Sequence, residues 1–69
     1  MPIVEINVWK ENVDDAKKQR LIKEVSKDVS EILGAPIDAV EVIINEVPQA
    51  NWGKGGIQAS KWAPREFRK

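Results

Sequence analysis

The sequence predicts an α+β fold: a short β-strand–helix–β-strand subunit with a C-terminal hairpin, whose sheet is completed by oligomerisation. Two segments alternate apolar and polar residues with a period of two, which is typical of strands. The segment between them carries an apolar stripe with the period of a helix. The length of 69 residues leaves room for one domain only.

The first predicted element is a strand, Ile3–Trp9. Its β-branched residues favour the extended conformation. One face is wholly apolar and consists of Val4, Ile6 and Val8. We expect that face to cover the helix, which leaves Ile3 and Trp9 pointing toward water in a monomer.

The second predicted element is a helix, Asp15–Leu33. Either Asp14 or Asn12 is expected to cap its N-terminus, because both side chains accept hydrogen bonds from the first turn. Gly34 is expected to end it, since glycine adopts the left-handed conformation that terminates many helices. The apolar stripe spans about 120° of the helix surface and contains Leu21, Ile22, Val25, Val29, Ile32 and Leu33.

A second strand is predicted at residues 39–46, where Ile43 lies on the face opposite the apolar one. Two strands joined by a helix are expected to be parallel, with a right-handed crossover. Beyond this strand, Gly53, Gly55 and Gly56 allow positive φ angles and a short hairpin.

Such a subunit leaves one face and both edges of its sheet uncovered. Ile3, Trp9 and Ile43 lie on that open face. The chain has no cysteine, so neither disulfides nor thiolate metal sites offset the small core. We therefore predict a homo-oligomer.

The composition excludes several function classes. Without histidine or cysteine, the chain cannot form a Ser-His-Asp triad or the usual zinc sites. Eleven basic residues balance eleven acidic ones, so the excess of a nucleic-acid-binding protein is absent. No apolar run reaches membrane-spanning length and no secretory signal begins the chain, so we expect a cytoplasmic protein.

Pro2 is the candidate base. If Met1 is removed, Pro2 carries a free α-amino group, which titrates at about 7.7–8.0 when unperturbed. Apolar surroundings or a nearby cation lower that pKa toward 7, where proton transfer next to a carbonyl is efficient. From the Met-Pro start alone, a proline that merely stiffens the first strand residue is the favoured explanation.

Several motifs occur in a fixed order and spacing: Pro2-Ile3, residues 21–26 (LIKEVS), residues 34–36 (GAP), residues 42–47 (VIINEV), residues 51–56 (NWGKGG) and residues 59–61 (ASK). Over residues 2–61 the chain resembles the 4-oxalocrotonate (2-hydroxymuconate) tautomerase family. The predicted tautomerase-like domain therefore covers residues 1–61, followed by a tail at residues 62–69.

The resemblance implies a keto–enol tautomerase that acts on an enol or 2-oxo acid, a small-molecule substrate, with Pro2 as general base. It also implies a homohexamer, a trimer of dimers with active sites at subunit boundaries, and no cofactor or metal. By motif position, the resemblance implies that Trp52 and Trp9 line the substrate pocket. Two alternatives stay open, in which Trp52 packs at an interface and Trp9 packs against another subunit. Lys54 stands where the family has an aliphatic lining residue.

The chain departs from the family at two substrate-binding positions that carry arginine in the prototype. The loop after the first strand has Glu11, Asn12 and Val13, and the second-strand position is Glu41. The resemblance therefore carries the proline base but not a dicarboxylate substrate. Two alternatives stay open: a hydratase or dehalogenase in which Glu41 activates water beside Pro2, and a catalytically silent oligomeric binding module.

Overall fold

The computed structural model describes residues 2–62, and it confirms the predicted strand–helix–strand order with a C-terminal hairpin. The elements are β1 (Ile3–Trp9), α1 (Asp15–Leu33), β2 (Glu41–Val47), β3 (Gly53–Lys54), β4 (Ile57–Gln58) and α2 (Ala59–Trp62). Met1 and residues 63–69 of the predicted tail lie outside the described residues.

Helix α1 begins and ends through local hydrogen bonds. The Asp14 carboxylate accepts from the backbone N–H of Lys17 at 2.8 Å, so Asp14 rather than Asn12 is the N-cap. Gly34 has a φ of 70° and donates its N–H to the Ser30 carbonyl. The predicted helix bounds and the glycine termination are both confirmed.

Removal of this cap gives a measurable loss of stability. We expect Asp14→Ala to lower the free energy of unfolding by about 1 kcal/mol, because an N–H of the first helical turn loses its acceptor. Chemical denaturation at fixed protein concentration measures the change. Asp28→Ala, which removes an exposed carboxylate farther along α1, is the matched control and should change the stability much less. Equal losses in the two variants would contradict the capping role.

Strands β1 and β2 form a two-stranded sheet and begin side by side, which makes them parallel. The N–H of Glu41, the first residue of β2, donates to the Pro2 carbonyl just before β1, at 3.0 Å. Exposed and half-buried residues alternate along both strands, as predicted. The second strand starts two residues later than predicted, because residues Ile37–Ala39 form a 3₁₀ turn.

Contacts divide the chain into two units, of which the first contains residues 2–6 and 14–44. Its half-buried apolar side chains come from both strands and from the helix: Val4, Ile6, Leu21, Val25, Val29, Val42 and Ile44. Among the described residues, no large side chain is fully buried. Ile32 and Leu33 of the predicted stripe are 80% and 64% exposed, so two strands cover only part of that stripe.

The second unit contains residues 7–13 and 45–62. Its antiparallel hairpin pairs Lys54 with Ile57 across a turn in which Gly55 and Gly56 have φ angles of 61° and 82°. Positive φ at both central residues is the geometry of a tight hairpin turn and explains the glycine pair. Gly53 was also expected to adopt a positive φ angle, but it does not.

Residues 2–62 contain no helix with both the length and the apolar character needed to cross a membrane.

Candidate functional site

Pro2 and Glu41 form the first group of candidate residues. Pro2 is half-buried and Glu41 is exposed, and the backbone hydrogen bond between them places the two residues on adjacent strands at the same end of the sheet. This arrangement follows from the parallel pairing, because both residues stand where their strands begin. Pro2 and a carboxylate-bearing residue are therefore neighbours along the sheet.

The second group contains all three tryptophans of the chain, which we call the tryptophan cluster: Trp9, Trp52 and Trp62. The Trp9 and Trp52 ring centroids are 6.0 Å apart with an interplanar angle of 83°. The Trp9 and Trp62 centroids are 5.5 Å apart at 64°. Both are edge-to-face contacts, an arrangement that the charge distribution of aromatic rings favours. Trp9 is therefore the central ring of the cluster.

Backbone and side-chain hydrogen bonds hold two of these tryptophans in place. The Trp52 carbonyl accepts from the N–H of Ala59 at 2.6 Å, which joins it to the start of α2. The indole N–H of Trp62 donates to the Ile57 carbonyl at 3.1 Å. The hairpin and α2 thus hold the backbone of Trp52 and the indole ring of Trp62 next to Trp9.

Lys54 brings a positive charge to the cluster. Its Nζ lies 5.8 Å from the centroid of the Trp62 ring, within the range of a cation–π interaction. Lys54 is exposed on β3, and Trp62 is 37% exposed. An ammonium group beside an apolar aromatic surface can bind a carboxylate whose remaining atoms lie against the rings.

Within the tryptophan cluster, the structure corrects one sequence prediction and adds a residue. Trp9 was expected to point toward water in a monomer, and this prediction is wrong. Trp9 is half-buried, because Trp52 and Trp62 pack against it. Trp62 was assigned to the tail, but it ends α2 inside the cluster. Its only sequence signal was the presence of a third tryptophan in a chain this short.

Another contact between ionisable groups lies on helix α1. Glu24 accepts a hydrogen bond from Arg20 on the exposed face of α1, and this bond and its charge raise the pKa of Arg20. Within residues 2–62, no group of three or more acidic side chains is arranged to hold a metal ion.

Comparison with known proteins assigns the family. A model of the tautomerase enzyme family matches residues 2–61. The chain belongs to this family. It is 46% identical over 61 residues to a 2-hydroxymuconate tautomerase of Pseudomonas putida, which covers 88% of this chain and 95% of the relative. A probable tautomerase of Ralstonia nicotianae is 37% identical over 70 residues, with 99% of each chain covered.

Solved structures agree with this assignment. A 4-oxalocrotonate tautomerase isozyme from Methylibium petroleiphilum superposes with a TM-score of 0.82 at 33% identity, covering 91% of this chain and all of that chain. A fused 4-oxalocrotonate tautomerase, described as an asymmetric trimer, gives 0.84 at 26% identity, covering 93% of this chain and 51% of that chain. The resemblance is confirmed, and so is the predicted strand–helix–strand fold with its C-terminal hairpin. The chain is a tautomerase of the 4-oxalocrotonate type.

Proposed function

We propose that this tautomerase interconverts an enol and its 2-oxo acid, with the amine of Pro2 as the general base after loss of Met1. The observation that carries the proposal is that the family match begins at Pro2, in a chain with no histidine or cysteine. The neutral amine takes the proton from the enol hydroxyl or from the carbon beside the carbonyl, and returns it at the other position. The reaction moves one proton between the oxygen and the carbon, and the double bond shifts between C=C and C=O. No other bond is made or broken.

Substrate binding is proposed to rest on Lys54, Trp52 and Trp9. Lys54 supplies a positive charge for the substrate carboxylate, and the two tryptophans supply an apolar wall. The family's two arginine positions correspond in this chain to Glu41 and to the loop that contains Glu11, neither of which supplies an arginine. A second substrate carboxylate therefore has no cation at those positions. We therefore propose a substrate with a single carboxylate. The proposed catalytic assembly is the homohexamer, a trimer of dimers.

The Lys54 assignment predicts a selective change in substrate affinity. We expect Lys54→Ala to raise the KM for a 2-oxo acid about tenfold or more, because a hydrogen bond to a charged group is worth about 1.5–3 kcal/mol. The value of kcat should change less, since the lysine binds the carboxylate in both the ground state and the transition state. Lys54→Arg keeps the charge and should stay near the wild type. Lys23→Ala, at an exposed position on α1, is the control. An unchanged KM in Lys54→Ala would exclude the lysine from binding.

A second candidate function is supported by the hydrogen bond that joins the backbones of Pro2 and Glu41. In this alternative, the Glu41 carboxylate activates a water molecule that adds to an unsaturated acid, and Pro2 supplies the proton. The product is then a hydrated acid. If the carbon that water attacks carries a halogen, the product of addition loses HX, so the halogen leaves as halide and a carbonyl forms at that carbon. The two reactions differ in product and in their dependence on Glu41.

Deuterium exchange distinguishes these reactions. The processed enzyme is incubated in D₂O with a 2-oxo acid, and NMR follows exchange at the carbon beside the carbonyl. We expect exchange without hydration, and Glu41→Gln should retain most of the rate. A hydrated or dehalogenated product that is lost selectively in Glu41→Gln would instead support water addition. If neither deuterium exchange nor a hydrated or dehalogenated product is detected, the result would support a catalytically silent binding module.

A further inference from the structure

Glu11 makes a long-range hydrogen bond that no sequence pattern predicts. Its two carboxylate oxygens lie 3.1 and 3.3 Å from the backbone nitrogen of Gln49, which is 38 residues away in the chain. Glu11 is half-buried and Gln49 is only 3% exposed. The bond is therefore partly shielded from water, where a charge-assisted contact retains more of its strength.

The bond joins the two chain segments that carry Trp9 and Trp52. Trp9 lies two residues before Glu11, and Trp52 lies three residues after Gln49. Gln49 is the first residue of the 3₁₀ turn Gln49–Asn51, whose leading N–H has no partner within the turn. The Glu11 carboxylate satisfies that N–H, so it acts as a cap supplied from the other segment.

The same turn is attached independently to the hairpin. The side-chain amide of Gln58 donates to the Ala50 carbonyl at 2.9 Å, and the N–H of Ala59 donates to the Trp52 carbonyl at 2.6 Å. These bonds hold Trp52 to β4 and α2, the elements that also place Trp62. The Glu11 bond thus links this assembly to the segment that follows Trp9.

We infer that Glu11 is a positioning residue of the tautomerase site, which holds Trp9 against Trp52 through the backbone of Gln49. This inference rests on the proposed function, in which the two rings form the apolar wall for the substrate. It also explains why a carboxylate can occupy the loop in which the family prototype has a substrate-binding arginine. The Glu11 loop shapes the wall of the site and does not bind the substrate directly.

Tryptophan circular dichroism tests the positioning role apart from activity. The chain has no tyrosine, and all three tryptophans lie in the cluster, so the near-ultraviolet spectrum reports chiefly on ring geometry. We expect Glu11→Ala to lose about half of the tryptophan signal and to lower kcat/KM about tenfold, mainly through KM. Glu11→Gln should restore most of both, since its amide oxygen can accept the same hydrogen bond. Glu31→Ala, an exposed carboxylate of α1, should match the wild type.

Glu11→Asp provides a second test if Glu11→Ala fails to fold. It keeps the charge but shortens the side chain by one carbon, so it should resemble Glu11→Ala and not Glu11→Gln. A Glu11→Ala spectrum that superposes on the wild type would overturn the inference. Failure of Glu11→Gln to restore the signal would also overturn it. If the wild-type enzyme shows no exchange activity, the proposed function fails, while the spectra still decide the role of Glu11.

Discussion

Replacement of Pro2 with alanine is expected to lower the rate of enol–ketone exchange by about 100-fold or more. General bases contribute about 10²- to 10⁴-fold to such reactions, and the loss falls at the lower end because the alanine variant still has a primary amine. That amine lacks the ring that fixes its direction at the start of β1. Exchange followed by NMR at saturating substrate measures the change.

The control for this variant is Pro36→Ala, which removes an exposed proline two residues after Gly34. Its exchange rate should stay close to the wild type. Light scattering must show that the Pro2→Ala variant keeps the wild-type oligomeric state. A Pro2→Ala enzyme of undiminished rate and intact assembly would exclude the proline as the base.

Replacement of Trp9 with alanine is expected to have the largest effect on stability. We expect the free energy of unfolding to fall by about 3 kcal/mol, at the lower end for loss of a large aromatic side chain, because Trp9 is half-buried. Trp9 contacts both other tryptophans, so its removal leaves a space between Trp52 and Trp62. Urea denaturation at one fixed protein concentration measures the loss, since oligomer stability depends on concentration.

Trp9→Phe is the matched variant, because it keeps an aromatic ring of smaller size at the same position. It should lose much less stability than Trp9→Ala. A loss below about 1 kcal/mol in Trp9→Ala would mean that the ring contacts contribute little beyond surface burial.

Local sequence patterns predicted most of the fold. The period-two alternation defined β1, and the helical stripe with its Asp14 and Gly34 ends defined α1, because each signal lies within one element. The start of β2 was predicted two residues too early, since Val40 continues the apolar face of Val42 and Ile44 although it precedes the strand. Residues 37–39 before it form a 3₁₀ turn. Periodicity does not distinguish a short turn from an extended segment in so few residues.

The composition of the tryptophan cluster was only partly predictable. Motif position selected Trp9 and Trp52, and the structure brings their rings together. Trp62 and Glu11 were not selected, because their roles depend on contacts between distant parts of the chain. The partner of Glu11 is the backbone N–H of Gln49. Any residue except proline could supply this donor, so the identity of residue 49 does not predict the hydrogen bond.

Two exposed isoleucines on the sheet provide a physical reason to expect an oligomer. Ile3 and Ile43 are 58% and 46% exposed on the strand face opposite the half-buried one. Burial of such side chains is favourable by about 25 cal/mol per Å² of apolar surface removed from water. A second copy of the chain that covers this face would bury both, so the homo-oligomer stays a prediction with these residues as its contacts.

The most direct test of the central claim compares two forms of the enzyme that differ only at the N-terminus. Intact mass identifies a form that begins at Pro2 and a form that retains Met1, in which the Pro2 nitrogen belongs to an amide and cannot accept a proton. Deuterium exchange with the same 2-oxo acid is then measured for both forms. The amine-base mechanism predicts rapid exchange by the Pro2 form and a loss of at least about 100-fold in the Met1 form. Equal rates in the two forms would contradict it.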